Sequence, residues 1–387
     1  MDFALSEDQV RLQETAQAFA TREMTPVARN LERTGAPLDR AWLSRYAEMG
    51  FLGLNIDPAY GGLGLSDLDA VLVIEAFAKI HPAVAFPIFE SCVGPVKAVE
   101  RFAPEPLKAR LLPAVCRGER VIAVAMSEPD AGSALTDLRT RAVVDGDQVR
   151  LSGMKRWCSG GGHADGYVVY CRLSDAPGAK GLGAVYVDAD TDGLSFGPPE
   201  RLMGFRGIAS ADIHFDDVTV PAGNVIVPAG GFGRMMEAFD LERCGNATMC
   251  LGLAAAALED ALTYVQERHQ FGKPIVDFQA VQLKLADMAM QVEAARLLIH
   301  RAVSRAEGGF PSVADSSIAK CFANEMVRTV CGTAMQLLGG YGYSTEYPME
   351  QRFRDGWGWG IAGGTIDIQK VNIAAALVGR RFNQRAR

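Results

Sequence analysis

Several signatures of common protein classes are missing from this chain. Its eight cysteines are scattered without a C-x-x-C pair, and its five histidines fall at no metal-ligand spacing. A disulfide framework or a zinc module is therefore not expected; a reduced, cytoplasmic protein without a metal is. No lysine/arginine block interrupts a net charge of −7, so the chain lacks the electrostatic footprint of a nucleic-acid binder. No apolar run reaches the roughly 18 residues of a membrane span, and no basic-apolar leader precedes the first helical pattern, so no membrane association is expected. There is no G-x-x-x-x-G-K-S/T, and no G-x-G-x-x-G opens a helix after a strand, which removes two widespread nucleotide-binding designs. Internal repeats and low-complexity tracts are absent too.

What is present is an ordinary enzyme-like composition, 49% hydrophobic and 22% charged over 387 residues, enough for more than one core. Ser6 followed by Gln9 fits a capping box, and helical segments continue to about Lys108, punctuated by Pro37, Gly61-Gly62 and the Pro82/Pro87 segment. Short β-like runs follow at 121–125, 148–151, 167–171, 184–187 and 212–215, with turn signals such as Asp145-Gly146 and Asp192-Gly193 between them. From Met235 the pattern is helical again, over about 235–266, 278–306, 313–338 and 366–382. Phe278, Val281, Leu285, Met288, Val292 and Ala295 recur at three- and four-residue steps, and Gly272 with Pro274 marks the turn before them. The expected fold is α+β: an N-terminal helical domain over 1–119, a central antiparallel β-domain over 120–233, and a C-terminal four-helix bundle over 234–387.

Specific blocks carry more than this periodicity does. Ala125-Met-Ser-Glu-Pro-Asp-Ala-Gly-Ser133, Gly153-Met-Lys-Arg-Trp-Cys-Ser159, Glu267-Arg-His-Gln-Phe-Gly-Lys-Pro274 and Gln336-Leu-Leu-Gly-Gly-Tyr-Gly-Tyr343 occur in order, followed by Arg354-Asp355, Gly364-Thr365 and Ile368-Gln369. Together they resemble the acyl-CoA dehydrogenases along nearly the whole chain. The resemblance implies FAD, an acyl-CoA substrate, a homotetramer and an electron-transferring flavoprotein as acceptor. It places Met126 and Ser127 at the flavin pyrimidine edge, and Trp157 and Ser159 against the flavin ring. By the same resemblance Arg268, Phe271, Gln336 and Gly340 hold the FAD diphosphate and adenosine part from a neighbouring subunit, and Thr365 and Asp367 lie on the FAD diphosphate and ribose. Ser133, Asp240 and Arg243 match contacts to the CoA portion. The side-chain chemistry suits these roles: a forked cation for a diphosphate, a small hydroxyl for a ring nitrogen, a flat indole as a wall.

One departure from the family pattern bears on mechanism. Most members carry a glutamate before the Gly-Thr of the last block, where this chain has Gly363. A minority branch, the isovaleryl- and long-chain enzymes among them, instead places the base on the bundle helix in a Leu-Glu-Arg, and Leu241-Glu242-Arg243 stands there here. The resemblance thus implies Glu242 as the base, with the backbone N–H of Gly363 kept as an oxyanion donor. The plain reading of Glu242 is a first-turn carboxylate stabilised by the helix dipole. Small residues at Ala362 and Gly363 point to a branched, cyclic or aryl-bearing acyl group. Phe86 and Phe89 either line the acyl pocket or pack the N-terminal helices, and the indoles of Trp357 and Trp359 have no place in the family pattern. Relatives of this fold offer alternatives: acyl-CoA oxidase, desulfinase, flavin monooxygenase, or a non-catalytic flavoprotein binding module.

Overall fold

A computed structural model describes residues 4–306 and 309–382. The chain begins with helices α1 (Glu7–Phe19), α2 (Thr25–Thr34), α3 (Ala41–Glu48), α4 (Asp67–Ala78), α5 (Pro82–Cys92), α6 (Pro95–Phe102) and α7 (Glu105–Cys116). The Ser6 hydroxyl and the Gln9 amide cap α1 reciprocally, as their spacing predicts. Pro82 opens α5, where a missing N–H costs nothing. Pro87, expected to punctuate the chain, lies inside that helix.

The middle of the chain forms strands β1 (Ile122–Ala125), β2 (Arg141–Asp145), β3 (Gln148–Ser159), β4 (Gly166–Arg172), β5 (Leu182–Asp188), β6 (Leu194–Phe196), β7 (Ser210–Pro221) and β8 (Val225–Val227). Their order is β6-β7-β3-β2-β4-β5-β8, with β1 also beside β4. The sheet is mainly antiparallel, but β1 and β2 each run parallel to β4. Strand β2 escapes a hydrophobicity reading because it is largely solvated, with Val143 and Val144 exposed; β6 and β8 have three residues each. Strand β3 is far longer than the 148–151 run. It pairs with β7 throughout, with register shifts at 151–153 and 155–158.

Helix α8 (Phe232–Glu267) then runs through the middle of the molecule. It is long and apolar enough to cross a membrane by length and composition, unlike any run expected from the sequence. Its apolar window is 67% buried by neighbouring elements, which is how a core helix behaves. Glycines admit those neighbours. A Cβ at Gly245 would lie 2.8 Å from the Phe89 ring, and one at Gly252 2.6 Å from Ala78 Cβ, so α5 and α4 press directly on the α8 backbone.

After α8 come β9 (His269–Gln270) and β10 (Lys273–Pro274), a miniature hairpin whose turn residues Phe271 and Gly272 both have positive φ, 53° and 81°. Helices α9 (Gln279–Ser304), α10 (Val313–Leu338), α11 (Gly340–Tyr343), α12 (Met349–Trp359) and α13 (Ile366–Leu377) complete the bundle, with α10 packed along α8. The last helix is shorter than its periodicity suggests. Gly379, at φ 67°, follows its end, and Phe382 lies beyond it.

Candidate active site

Glu242 is not a first-turn carboxylate. Helix α8 starts at Phe232, ten residues earlier, so the helix N-terminus offers this side chain little, and the plain reading falls. Its surroundings explain it better. The side chain is only partly accessible, and burial pushes its pKa up to about 8 against the opposing pull of Arg243 and Lys320.

The face of α8 that carries Glu242 meets the loop 360–365. Phe239 and Asn246 lie one turn to either side of Glu242, and a Cβ at Gly363 would sit 3.8 Å from Phe239 Cζ and 3.6 Å from Asn246 Nδ2. The loop is a tight double turn, with Gly363 at φ 67° and Gly364 at φ 84°. It is held from behind by buried polar groups. Asn246 Nδ2 donates to the Trp359 carbonyl at 3.1 Å and to that of Ala362 at 3.5 Å. Lys320, on α10, donates to the carbonyls of Trp359 (3.2 Å) and Gly364 (3.0 Å). A carboxylate of raised proton affinity and a side-chain-free glycine turn therefore border the same stretch of α8.

Of the residues matched to the CoA portion, Ser133 is exposed on the loop after β1. Asp240 is 1% exposed and accepts hydrogen bonds from Arg243 and, at 2.7 Å, from Ser316 Oγ. Asp240 is thus the internal partner of Arg243; burial raises its pKa although Arg243 opposes that.

Met126, Ser127, Trp157 and Ser159 come together at one end of the sheet. Met126 and Ser127 follow β1, and their carbonyls accept from Lys155 Nζ (2.8 Å) and the Arg156 N–H (3.0 Å). Trp157 occupies the bulge in β3 with φ 62°, its indole half exposed and backed by the Arg156 guanidinium at 4.5 Å. Ser159 pairs with Ser210 of β7. The bulge is what turns a large aromatic face outward.

The other matched positions lie on the bundle, with Thr365 and Asp367 directly after the Gly363-Gly364 turn and the rest on other segments. Arg268, Phe271, Gln336, Gly340 and Asp367 are exposed, Phe271 at 93% on its hairpin turn. Thr365 caps α13 through its hydroxyl. The two unplaced indoles now have positions. Trp359 is buried against Phe86, Phe89 and Phe205, with centroids 6.5, 6.1 and 4.9 Å away, whereas Trp357 lies at the surface under Arg328.

Family models match the chain in three consecutive stretches: the acyl-CoA dehydrogenase N-terminal domain over 6–119, the middle domain over 123–218 and the C-terminal domain over 229–378. The chain belongs to the acyl-CoA dehydrogenase family. Among curated relatives of this family member, an acryloyl-CoA reductase (NADH) of Anaerotignum propionicum is 35% identical, covering 98% of this chain and 97% of its own. A 3-sulfinopropanoyl-CoA desulfinase of Paraburkholderia xenovorans is also 35% identical, over 99% of both chains. The solved butyryl-CoA dehydrogenase of Megasphaera elsdenii superposes with a TM-score of 0.94 at 33% identity, covering 98% of this chain and 100% of its own.

Sequence reasoning missed four side chains around the site. Lys320, Asn324 and Asn246 form the polar backing of the glycine loop, and Glu90 of α5 is 6% exposed. Burial and, after it, the nearness of Glu242 raise the Glu90 pKa well above the carboxylate range. One signal was available: a lysine inside the apolar run Ile318-Ala-Lys-Cys-Phe322.

Proposed function

We propose that this acyl-CoA dehydrogenase family enzyme takes an acyl-CoA thioester to the trans-2-enoyl-CoA, with Glu242 removing the α-proton. The observation that carries the reading is a carboxylate of raised proton affinity whose flanking helix residues both border the Gly363 backbone. An α-proton of a thioester is weakly acidic, so its removal needs a base poised near neutrality and a donor for the enolate oxygen. Glu242 supplies the first, and the N–H of Gly363 the second. Loss of a side chain at position 363 removes the common base without removing that N–H.

FAD, when bound, supplies the acceptor for the β-hydride. The outward indole of Trp157 with the small hydroxyl of Ser159, and the chemistry of Arg268, Gln336, Thr365 and Asp367, suit a flat ring joined to a diphosphate. Met126, Ser127 and Gly340 would complete the cofactor contacts with Phe271; Ser133, Asp240 and Arg243 would serve the CoA end. Exposed apolar side chains at Phe271, Leu283, Met290 and Leu377 support assembly with further copies of the chain, as a homotetramer. In this reading residues 1–119, 120–233 and 234–387 are the three domains, the protein is cytoplasmic, and an electron-transferring flavoprotein is the acceptor. The aromatic cluster of Phe86, Phe89 and Trp359, together with a side-chain-free Gly363, favours a branched, cyclic or aryl-bearing acyl group.

The test is anaerobic titration of the yellow holoenzyme with straight, branched and aryl-bearing CoA thioesters. Bleaching is expected with the right thioester, and Glu242→Gln should keep FAD while losing turnover by at least ~10³-fold, within the roughly 10²–10⁴ of general-base catalysis. Near-normal turnover in that variant would rule out the base. Release of sulfite from a sulfinoacyl-CoA, without bleaching by any saturated thioester, would favour the desulfinase chemistry of the relative.

A further inference from the structure

Lys320 is 0% exposed, yet all the hydrogen bonds it donates go to neutral oxygens: Asn324 Oδ1 at 2.9 Å and the carbonyls of Trp359 and Gly364. It forms no salt bridge with any of the described residues. Its nearest electrostatic neighbours are the Cys250 and Cys321 thiols and the Arg243 and Arg328 guanidiniums, its charge is also felt at Glu242, and burial lowers its own pKa to about 7. Such an arrangement is costly for stability alone, because a buried ammonium is ordinarily offset by an anion.

One branch of the hydrogen bonds leading away from it returns to the glycine loop. Lys320 Nζ donates to Asn324 Oδ1, and Asn324 Nδ2 donates to Asn246 Oδ1 at 2.9 Å. Asn246 Nδ2 donates to the carbonyl of Ala362, the oxygen of the same peptide unit that ends in the Gly363 N–H. Aligned donors polarise one another, and a peptide whose carbonyl accepts is a stronger donor at its N–H. We propose that Lys320 is a positioning residue for the reaction, the charged source of a relay through Asn324 and Asn246 that orients and polarises the Gly363 N–H toward the enolate oxygen. The proposal rests on the reading of Gly363 as oxyanion donor, and Lys320 itself touches neither substrate nor cofactor in it.

The experiment uses holoenzyme and a 3-thia-acyl-CoA deuterated at the α-carbon. Sulfur in place of the β-carbon prevents oxidation, so loss of the label to water, followed by mass spectrometry, reports α-proton removal alone. Lys320→Met removes the source but leaves other donors on the loop carbonyls, Asn246 on that of Trp359 and Gln369 on that of Gly364. Exchange and kcat should both fall about 10²-fold, the scale of a misplaced or weakened oxyanion donor, with KM and FAD content nearly unchanged. Asn324→Leu breaks the relay with the lysine still present, and should slow exchange about 10-fold. It carries the test alone should the Met variant not fold. Exchange within twofold of wild type in the folded variants would overturn the proposal, as would a loss of FAD and CoA affinity in step with the loss of exchange. Failure of the base assignment is distinguishable, because it appears as normal exchange in Glu242→Gln.

Discussion

Two lysines among the described residues are fully buried, one in the sheet and one in the bundle, and they are served differently. Lys155 of β3 faces Glu128, with Nζ 2.8 Å from Oε1, and Glu128 also accepts the N–H groups of Arg139 and Thr140. Burial lowers the Lys155 pKa, and the Glu128 carboxylate opposes that shift. The pair fastens the end of β1 to the bulge that presents Trp157. Lys320 has no such partner, only carbonyl and amide oxygens around a glycine turn. The difference teaches that a buried charge tied to its opposite acts as a fastener, whereas one left among dipoles keeps its field for whatever occupies the neighbouring site.

That contrast is open to breakage. Lys155→Met strands the buried Glu128 carboxylate and should cost about 3–5 kcal/mol, toward the lower end because two backbone donors remain. Lys320→Met orphans only Asn324 Oδ1 and should cost no more than about 1–3 kcal/mol. Urea denaturation of both variants measures the difference, and equal losses would erase the distinction. Next in size is the pH response at the site the unpaired lysine faces. Glu242 must be ionised to accept a proton and its pKa is raised to about 8, whereas the relay needs a protonated Lys320 and its pKa is lowered to about 7, so kcat/KM should climb with pH, peak between about 7 and 8, and fall on the alkaline side. A profile flat from pH 6 upward would show a carboxylate unperturbed by its surroundings.

Smaller effects sharpen the picture. Gly363→Ala meets only ordinary contacts, the nearest at 3.5 Å from Lys320 Cε, so its cost is the left-handed backbone, about 1–2 kcal/mol, read from thermal denaturation. The smallest prediction is a gain. Because the folded pKa of Glu242 lies above the ordinary 4.5, its contribution to stability is complete below that value and is lost as pH rises through about 8. Glu242→Gln should therefore raise Tm, and more at about pH 9 than at about pH 5. An equal change at both pH values would contradict the shift.

Much of the frame was legible beforehand for local reasons. The periodicity of 313–338 matches α10 to the residue, because a helical pattern of this length needs no distant information, and the structure adds the Ser312 cap at its start. Strand β2 was missed because its side chains stay in water, and the full reach of β3 because a bulge interrupts its alternation. Pro87 misled in the other direction, since a helix packed on α8 tolerates a proline that an isolated one would not.

By itself the sequence determined the family, the order of helical and β segments, and the presence of both Gly363 and Leu241-Glu242-Arg243. Each of these is written in neighbouring residues or in fixed spacings. Only the tertiary structure decided that Glu242 lies deep in α8 rather than at its end, and that its pKa is raised. It alone brought Lys320, Asn324 and Asn246 into line behind the glycine turn. The physical reason is that proton affinity and hydrogen-bond direction depend on what lies across space from a group, and those neighbours come from helices dozens of residues away.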